Sequence, residues 1–482
     1  MRWRYIAQVV GVLLLFLGLS MLFPLICGFY YGDGSVLPLT QSMGISLASG
    51  LLLFFLFKTS QSEYISPREG MAIVTLGWMA AGLVGALPFY LSGTFASFAD
   101  SLFESISGFT TTGSSIVTDI EALPKGLLFW RSLIQWLGGM GIIVLSLAIL
   151  PFLGVGGMQL YKAEVPSPVP DKLKPRLTDT AMILWKVYVL ISLAELLLLT
   201  AGGMSLFDAL CHMFTTMPTG GFSTRNTSLA HYDSAYFDYV VLIFMLLAGI
   251  NFSLHYQFLR GKPLVFWKDP ECRFFLIVVF LLSLVVGWDL YGNVYQTIND
   301  AIRYGAFQIV SVVTTTGYAT ADYEKWPGLS QVIIFLCMFM GASAGSTGGG
   351  IKCVRILLGF KYCYRELFAL IHPRAVTSIK LGGKSVSDEI VQSVIGFLVL
   401  YAALFAVCSI LLAATGVDFV TAFTAVGSCI GNIGPGFGLV GPVENYAQIP
   451  YIGKWLLIWC MLLGRLEIYT VIILLVPEFW RK

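Results

Sequence analysis

The chain of 482 residues is 57% hydrophobic and only 12% charged, with a mean hydropathy of +0.81, whereas ordinary soluble domains are about 45–50% apolar and about 25% charged. Its 29 basic and 27 acidic residues leave a net charge of +2, which points to no polyanionic partner. A soluble enzyme, a disordered tail and a nucleic-acid binder are excluded, and the chain reads as membrane-embedded from end to end.

A spanning helix needs about 20 predominantly apolar residues. In chain order such runs predict helices near 5–29, 38–58, 70–92, 126–151, 180–203, 236–259 and 274–292. A broken one follows at 330–342 and 351–371, then 389–415 and 453–477, giving about ten spans. The first run follows Met1-Arg2-Trp3-Arg4 but is too long for a signal peptide and lacks a small-residue cleavage site before Asp33. An uncleaved helix is expected. Placing the N-terminus in the cytoplasm puts 22 of the 29 basic residues there, among them Lys162, Lys172, Lys174, Arg176, Arg481 and Lys482. This is the bias that cytoplasmic loops carry. An even number of spans then leaves both termini cytoplasmic. Nine scattered cysteines without a C-x-x-C pair read as packing residues, and the four histidines lack ligand spacing.

Internal repetition is the next signal. Four segments share one form: a long apolar helix, a short helix, a Thr/Gly-rich turn and a second long apolar helix. The turns are Thr110-Thr111-Thr112-Gly113-Ser114, Pro218-Thr219-Gly220-Gly221-Phe222, Thr314-Thr315-Thr316-Gly317-Tyr318 and Asn432-Ile433-Gly434-Pro435-Gly436. Aligned on Gly113, Gly220, Gly317 and Gly434, three of them have a serine six residues earlier, at Ser107, Ser311 and Ser428. Asp100, Ser205, Asn299 or Asp300, and Asp418 are suitable residues to start the short helices. The repeats are expected at 67–155, 176–262, 270–372 with a broken inner helix, and 386–482, after an N-terminal helix pair at 1–66.

Each short helix is too short to span, so it must dip in and return. Backbone leaving a helix at membrane depth has to line water or protein, because lipid offers no hydrogen bonds. Four such turns on one axis make a ring of carbonyl oxygens, with the negative ends of four helices aimed at it. That favours a dehydrated cation. The expected fold is an all-α polytopic membrane protein, with four helix–pore-loop–helix repeats around one pseudo-fourfold pore. The candidate filter is Thr111, Thr112, Gly113, Thr219, Gly220, Thr315, Thr316, Gly317, Asn432, Ile433 and Gly434.

The second long helix of the third repeat is interrupted by Gly341 through Gly350, a run too rich in glycine for continuous helix. It is not a phosphate loop: Ile351 intervenes before Lys352, and no strand precedes it. Arg465 lies inside the last apolar run, where a charge costs at least about 2.5–3.5 kcal/mol and must face water or a partner such as Glu467. Glu104, two turns before the first filter turn, reads as a buried network residue; Arg131, Gln135 and Lys352 are weaker site candidates.

The four turns, the run Pro218-Thr219-Gly220-Gly221-Phe222-Ser223-Thr224, the run Gly431-Asn432-Ile433-Gly434-Pro435 and the extra N-terminal pair resemble the Trk/Ktr/HKT superfamily of potassium transporters. The resemblance covers nearly the whole chain. It implies potassium uptake across the bacterial inner membrane, with K⁺ held at the filter residues. It implies a gate in which the intramembrane segment Gly345, Ser346, Thr347, Gly348, Gly349 and Gly350 obstructs the pore and Arg465 projects below the filter. It also implies a homodimer and a cytosolic nucleotide-binding regulatory subunit of the TrkA kind. The basic segments 162–186 and 352–384 would meet that subunit or anionic lipid. This chain carries no nucleotide motif, so no organic cofactor is expected on it. Each turn keeps essentially one filter glycine rather than the T-V-G-Y-G of potassium channels, which implies looser discrimination against Na⁺. In plant relatives a serine in the first turn accompanies sodium transport; Gly113 here favours potassium. The alternative is a sodium- or proton-coupled secondary transporter of another small solute, built from inverted repeats. It requires two opposed halves and paired interrupted helices, against four units of one polarity and a single broken helix expected here. A membrane enzyme would need a clustered polar site, which does not appear.

Overall fold

The computed structural model describes residues 1–59, 66–148, 177–375 and 377–480. The basic residues Lys162, Lys172, Lys174, Arg176, Arg481 and Lys482, and the repeat boundaries at 155 and 176, lie outside the described residues.

Among the described residues six helices are long and apolar enough to cross a bilayer: α1 (Trp3–Tyr31), α2 (Val36–Leu56), α3 (Pro67–Leu91, apolar from Arg68), α6 (Leu177–Ala201, apolar from Thr180), α10 (Pro270–Leu290) and α14 (Asp388–Ala413). Between and after them lie α5 (Lys125–Ala148), α12 (Gly328–Cys337), α13 (Cys353–Ile371) and α16 (Tyr451–Arg465). Four short helices alternate with the long ones: α4 (Phe98–Phe109), α7 (Leu206–Thr216), α11 (Ile298–Val313) and α15 (Phe419–Gly431). The N-terminal pair packs against the first of these units, with Leu14, Leu17 and Leu39 in one apolar cluster with Trp130, Leu133 and Ile134. A second cluster joins Phe103 and Ile106 to the helices after residue 388, and a third runs from α6 to α13.

Three of the short helices start on a Ser/Thr-x-x-Asp pattern. Ser97, Ser205 and Thr297 accept the N–H of Asp100, Asp208 and Asp300, each at 3.1 Å, while Asp418 accepts that of Thr421 at 3.0 Å. Ser205 and Asp418 cap as expected. Asp100 and Asp300 do not: they are the third residues of their helices, where a carboxylate still complements the positive helix end. The cap sits three residues earlier because a hydroxyl reaches the third N–H from there.

Two runs expected as straight spans are bent. The run 236–259 divides into α8 (Ala235–Ala248) and α9 (Phe252–Leu259), inclined by 101°. The run 453–477 divides after α16 into a short piece ending at Leu475, inclined by 113°. Together with the break between α12 and α13, three inner helices are interrupted among the described residues rather than one. At the first bend the freed backbone is satisfied from elsewhere in the chain. Ala248 O accepts from Thr347 N at 3.3 Å, Gly249 O from Ser343 N at 3.0 Å, and Gly345 O accepts from Phe252 N at 3.1 Å. At the last bend Glu467 and Ile468 have φ of +61° and +35°, conformations that a β-branched residue adopts only under constraint.

Candidate functional site

The four turns that follow α4, α7, α11 and α15 have one backbone form. A residue in the left-handed region is followed two positions later by a left-handed glycine: Thr111 and Gly113 (φ +52° and +80°), Thr219 and Gly221 (+56° and +73°), Thr315 and Gly317 (+60° and +80°), Asn432 and Gly434 (+55° and +109°). The residue between them donates its N–H back into the helix, Thr112 to Ser107 O at 2.9 Å, Gly220 to Thr215 O and Thr316 to Ser311 O at 2.8 Å, and Ile433 to Ser428 O at 2.9 Å. This corrects the alignment read from the sequence. In the second turn Gly221, not Gly220, occupies the position of Gly113, Gly317 and Gly434. With that register the residue six positions earlier is Thr215, so all four turns have a hydroxyl residue there.

The structure brings the four turns into a closed ring. A β-carbon on Gly113 would lie 2.2 Å from Gly220 O, one on Gly221 1.9 Å from Thr316 O, one on Gly317 1.9 Å from Ile433 O, and one on Gly434 2.9 Å from Thr112 O. The contacts run from each turn to the next and return to the first. They always pair the glycine of one turn with the carbonyl preceding the glycine of its neighbour. Only a residue without a β-carbon permits that approach, and φ near +80° is itself one that L side chains resist. Gly113, Gly221, Gly317 and Gly434 together line a cavity of about 80 Å³, whose wall also includes Arg225 and Glu444. The short helices end at the ring, so their partial negative charges converge on it.

Buried polar side chains hold the ring from outside. Arg131 Nε meets Glu104 Oε1 at 2.6 Å with both side chains at most 2% exposed. Glu104 also accepts from Ile116 N at 2.8 Å, beyond the first turn. Arg131 Nη1 donates to Ser223 O at 3.0 Å, and its guanidinium lies 3.5 Å from the centre of the Phe222 ring. Gln135 Nε2 donates to Gly220 O at 2.7 Å. Around the fourth turn, Gly434 O accepts from Ser428 Oγ and Tyr446 Oη at 2.7 Å each and from Ser114 Oγ at 3.1 Å. Tyr318 Oη contacts Thr215 Oγ1 at 2.5 Å, tying the third turn to the second short helix. Tyr318 adjoins a turn glycine in sequence; Tyr446 lies twelve residues after Gly434, in the connection between α15 and α16, where no local pattern marks it.

The segment between α12 and α13 lies against the helix ends and turns. Gly349 N donates to Thr315 Oγ1 at 2.7 Å, and Thr347 Oγ1 donates to Met217 O at 2.9 Å. A β-carbon on Gly349 would lie 2.7 Å from Gly431 O. Two cations sit on consecutive carbonyls of this segment: Arg465 Nη1 on Thr347 O at 2.7 Å, and Lys352 Nζ on Gly348 O. Arg465 is 2% exposed, and its Nε and Nη2 have no partner among the described residues. Glu467 makes no direct ion pair with it; Glu467 Oε2 meets Arg355 Nη1 at 2.5 Å. An incompletely paired buried guanidinium is costly, which marks Arg465 as a residue kept for more than packing. Gly345, Ser346, Thr347, Gly348, Gly349, Gly350 and Arg465 therefore form one assembly, and they adjoin Thr315 and Asn432 of the turns.

Comparison with known proteins agrees along the whole chain. The family model described as TrkH, cation transport protein, matches residues 39–482. The Trk system potassium uptake protein TrkH of Escherichia coli (strain K12) is 43% identical over 486 residues, covering 100% of both chains. The Trk system potassium uptake protein TrkG of the same organism is 37% identical, covering 99% of each. The crystal structure of the potassium transporter TrkH from Vibrio parahaemolyticus superposes with a TM-score of 0.92 at 39% identity, covering 100% of both chains.

Proposed function

The chain belongs to the TrkH family of cation transport proteins, transporters rather than enzymes, and from that premise we propose that it takes up potassium through the ring of four turns. Four helix–pore-loop–helix repeats then surround one pore, with the helix pair 1–66 outside it. The observation that carries this reading is the repetition of a single contact, glycine against the neighbour's carbonyl, four times around a closed ring. Carbonyl oxygens replace the water of a cation at such a ring, and helix ends add favourable potential. The inverted-repeat alternative needs two halves of opposite polarity, whereas these contacts run in one sense. Thr111, Thr112, Gly113, Thr219, Gly220, Thr315, Thr316, Gly317, Asn432, Ile433 and Gly434 form the filter, with Gly221 added in the second turn.

Gating follows from the segment 345–350 and Arg465. With the segment against the turns and a fixed guanidinium beneath it, cations meet both an obstruction and a positive charge. Its release is assigned to a cytosolic nucleotide-binding regulatory subunit, since the relatives are named as parts of a Trk system. We place the protein in the bacterial inner membrane as a homodimer in contact with lipid, with both termini cytoplasmic. Voltage suffices as the driving force, at about 2.3 kcal/mol per charge per 100 mV.

The test is Rb⁺ and K⁺ flux into liposomes holding the purified chain, with voltage clamped and Na⁺ as competitor. Flux that follows the K⁺ gradient with weak Na⁺ competition is expected. Gly113→Ser should lower the K⁺ preference over Na⁺, because its β-carbon must displace Gly220 O from 2.2 Å. Unchanged permeability ratios would remove Gly113 from the filter. Replacing Arg465 with Ala, or deleting Gly348–Gly350, should raise flux without the regulatory subunit by roughly tenfold, the scale of one charge-assisted hydrogen bond. Parental leak in both variants would sink the gate assignment.

A further inference from the structure

We propose that Glu271 is a latch: a positioning residue that fixes the base of the glycine segment to α10, so that only its tip moves during gating. The inference rests on reading that segment as the gate.

Glu271 Oε1 accepts the N–H of Ala344 at 2.7 Å and the N–H of Val354 at 3.0 Å. These two residues lie on opposite sides of the segment, ten positions apart in the chain. One oxygen therefore joins both strands of its base. The strands already approach each other there, since Gly341 N donates to Ile351 O at 2.8 Å and Cys353 N to Ala342 O at 3.1 Å. Among the described residues Glu271 is the one carboxylate hydrogen-bonded to this stretch.

The anchor is rigid on both sides. Glu271 stands in the first turn of α10, where Pro270 is the first helical residue and Asp269 caps by accepting Cys272 N at 2.7 Å. Val354 is the second residue of α13, whose own cap residue, Lys352, makes no side-chain cap. Glu271 supplies from another helix the acceptor that the start of α13 lacks.

The grip lies just outside two pivots. Gly345 and Gly350 have φ of +74° and +63°, and they bound the tip, Ser346 to Gly349. Ala344 immediately precedes the first pivot, and Val354 follows the second by four residues. The tip itself is held by neutral hydroxyls and by Arg465 and Lys352. Movement of the tip breaks those contacts while the base stays on Glu271. Loss of Glu271 instead unties both sides of the base from α10 and leaves them to their backbone bonds alone.

The experiment measures Rb⁺ flux into liposomes containing the full chain without any cytosolic subunit, for Glu271→Ala, Glu271→Gln and the Gly348–Gly350 deletion. Glu271→Ala is expected to raise this flux about tenfold or more, since two buried hydrogen bonds to the closed segment are lost together. Glu271→Gln should stay near the parental level, because its amide oxygen can accept the same two N–H groups. The Rb⁺ to Na⁺ ratio should not change in either, and hydrogen exchange at 344–354 should quicken in the alanine variant alone. Parental flux and exchange in Glu271→Ala, with raised flux in the deletion, would overturn the latch and leave the gate standing. Parental flux in all three would overturn both. Should Glu271→Ala fail to fold, Glu271→Asp replaces it: one methylene shorter, it cannot reach both N–H groups, and parental flux there overturns the latch.

Discussion

Gly221→Ala is expected to lose most ion flux, while Gly416→Ala keeps it. Both glycines are left-handed, with φ of +73° and +93°, so both substitutions carry a conformational cost of about 1–2 kcal/mol. Their surroundings differ. A β-carbon on Gly416 meets nothing within 4 Å, whereas one on Gly221 would lie 1.9 Å from Thr316 O and 2.9 Å from its carbon. No real β-carbon sits that close to a carbonyl. Either the second turn or the third must withdraw, and the ring opens at one of its four contacts. A flux loss of about tenfold or more in Gly221→Ala corresponds to about 1.4 kcal/mol of barrier, a small part of such a distortion. Rb⁺ uptake by the two variants, at matched amounts in liposomes, decides the matter. Equal flux in both would take Gly221 out of the ion path and return the second turn to Gly220.

Arg131→Ala is expected to destabilise the folded chain by about 3–5 kcal/mol, the usual cost of stripping one partner from a buried ion pair. Glu104 would keep its bonds to Ile116 N and Ser115 Oγ but would lose its counter-charge in a fully buried position. The second turn would lose its bond at Ser223 O and the cation over Phe222. Arg131→Lys should not restore the parent, because an ammonium cannot present a planar fork to Glu104 and Ser223 while stacking on a ring. Removing both charges, with Glu104→Gln and Arg131→Met, should cost less than Arg131→Ala alone. Denaturant titration in detergent reads each variant. A parental transition for Arg131→Ala would show that the pair contributes neither stability nor alignment of the first two turns.

Both outcomes hinge on residues whose legibility in the sequence differs. A glycine recurs in all four turns and a serine six residues before it in three of them, and that recurrence is visible without coordinates. The second turn was read one residue out of register because Thr219-Gly220-Gly221 offers two glycines, either of which tolerates a positive φ. Only the carbonyl of Thr316, supplied by another repeat, selects Gly221. Arg465 was legible as a charge in an apolar run, but its pairing was not. The helix ends at Arg465 and the chain turns at Glu467, with φ of +61°, so Glu467 meets Arg355, 112 residues earlier in the chain.

By itself the sequence determined that the chain is membrane-embedded and helical, that four short helices end in Thr/Gly turns, and that one inner helix is interrupted by glycines. These follow from local composition, since lipid exposure demands apolar runs and glycine-rich stretches cannot remain helical. The tertiary structure alone decided the closure of the ring, the register of the second turn and the bends at 249–251 and 466–468. The apolar runs resume past those bends, and the residues that interrupt them, Gly249 and Asn251 at the first and Arg465 and Glu467 at the last, do not by themselves fix a bend. At the first bend the helix breaks because residues 343–347 supply the hydrogen bonds that its backbone gives up, and a backbone group at membrane depth is exposed only where another part of the chain satisfies it.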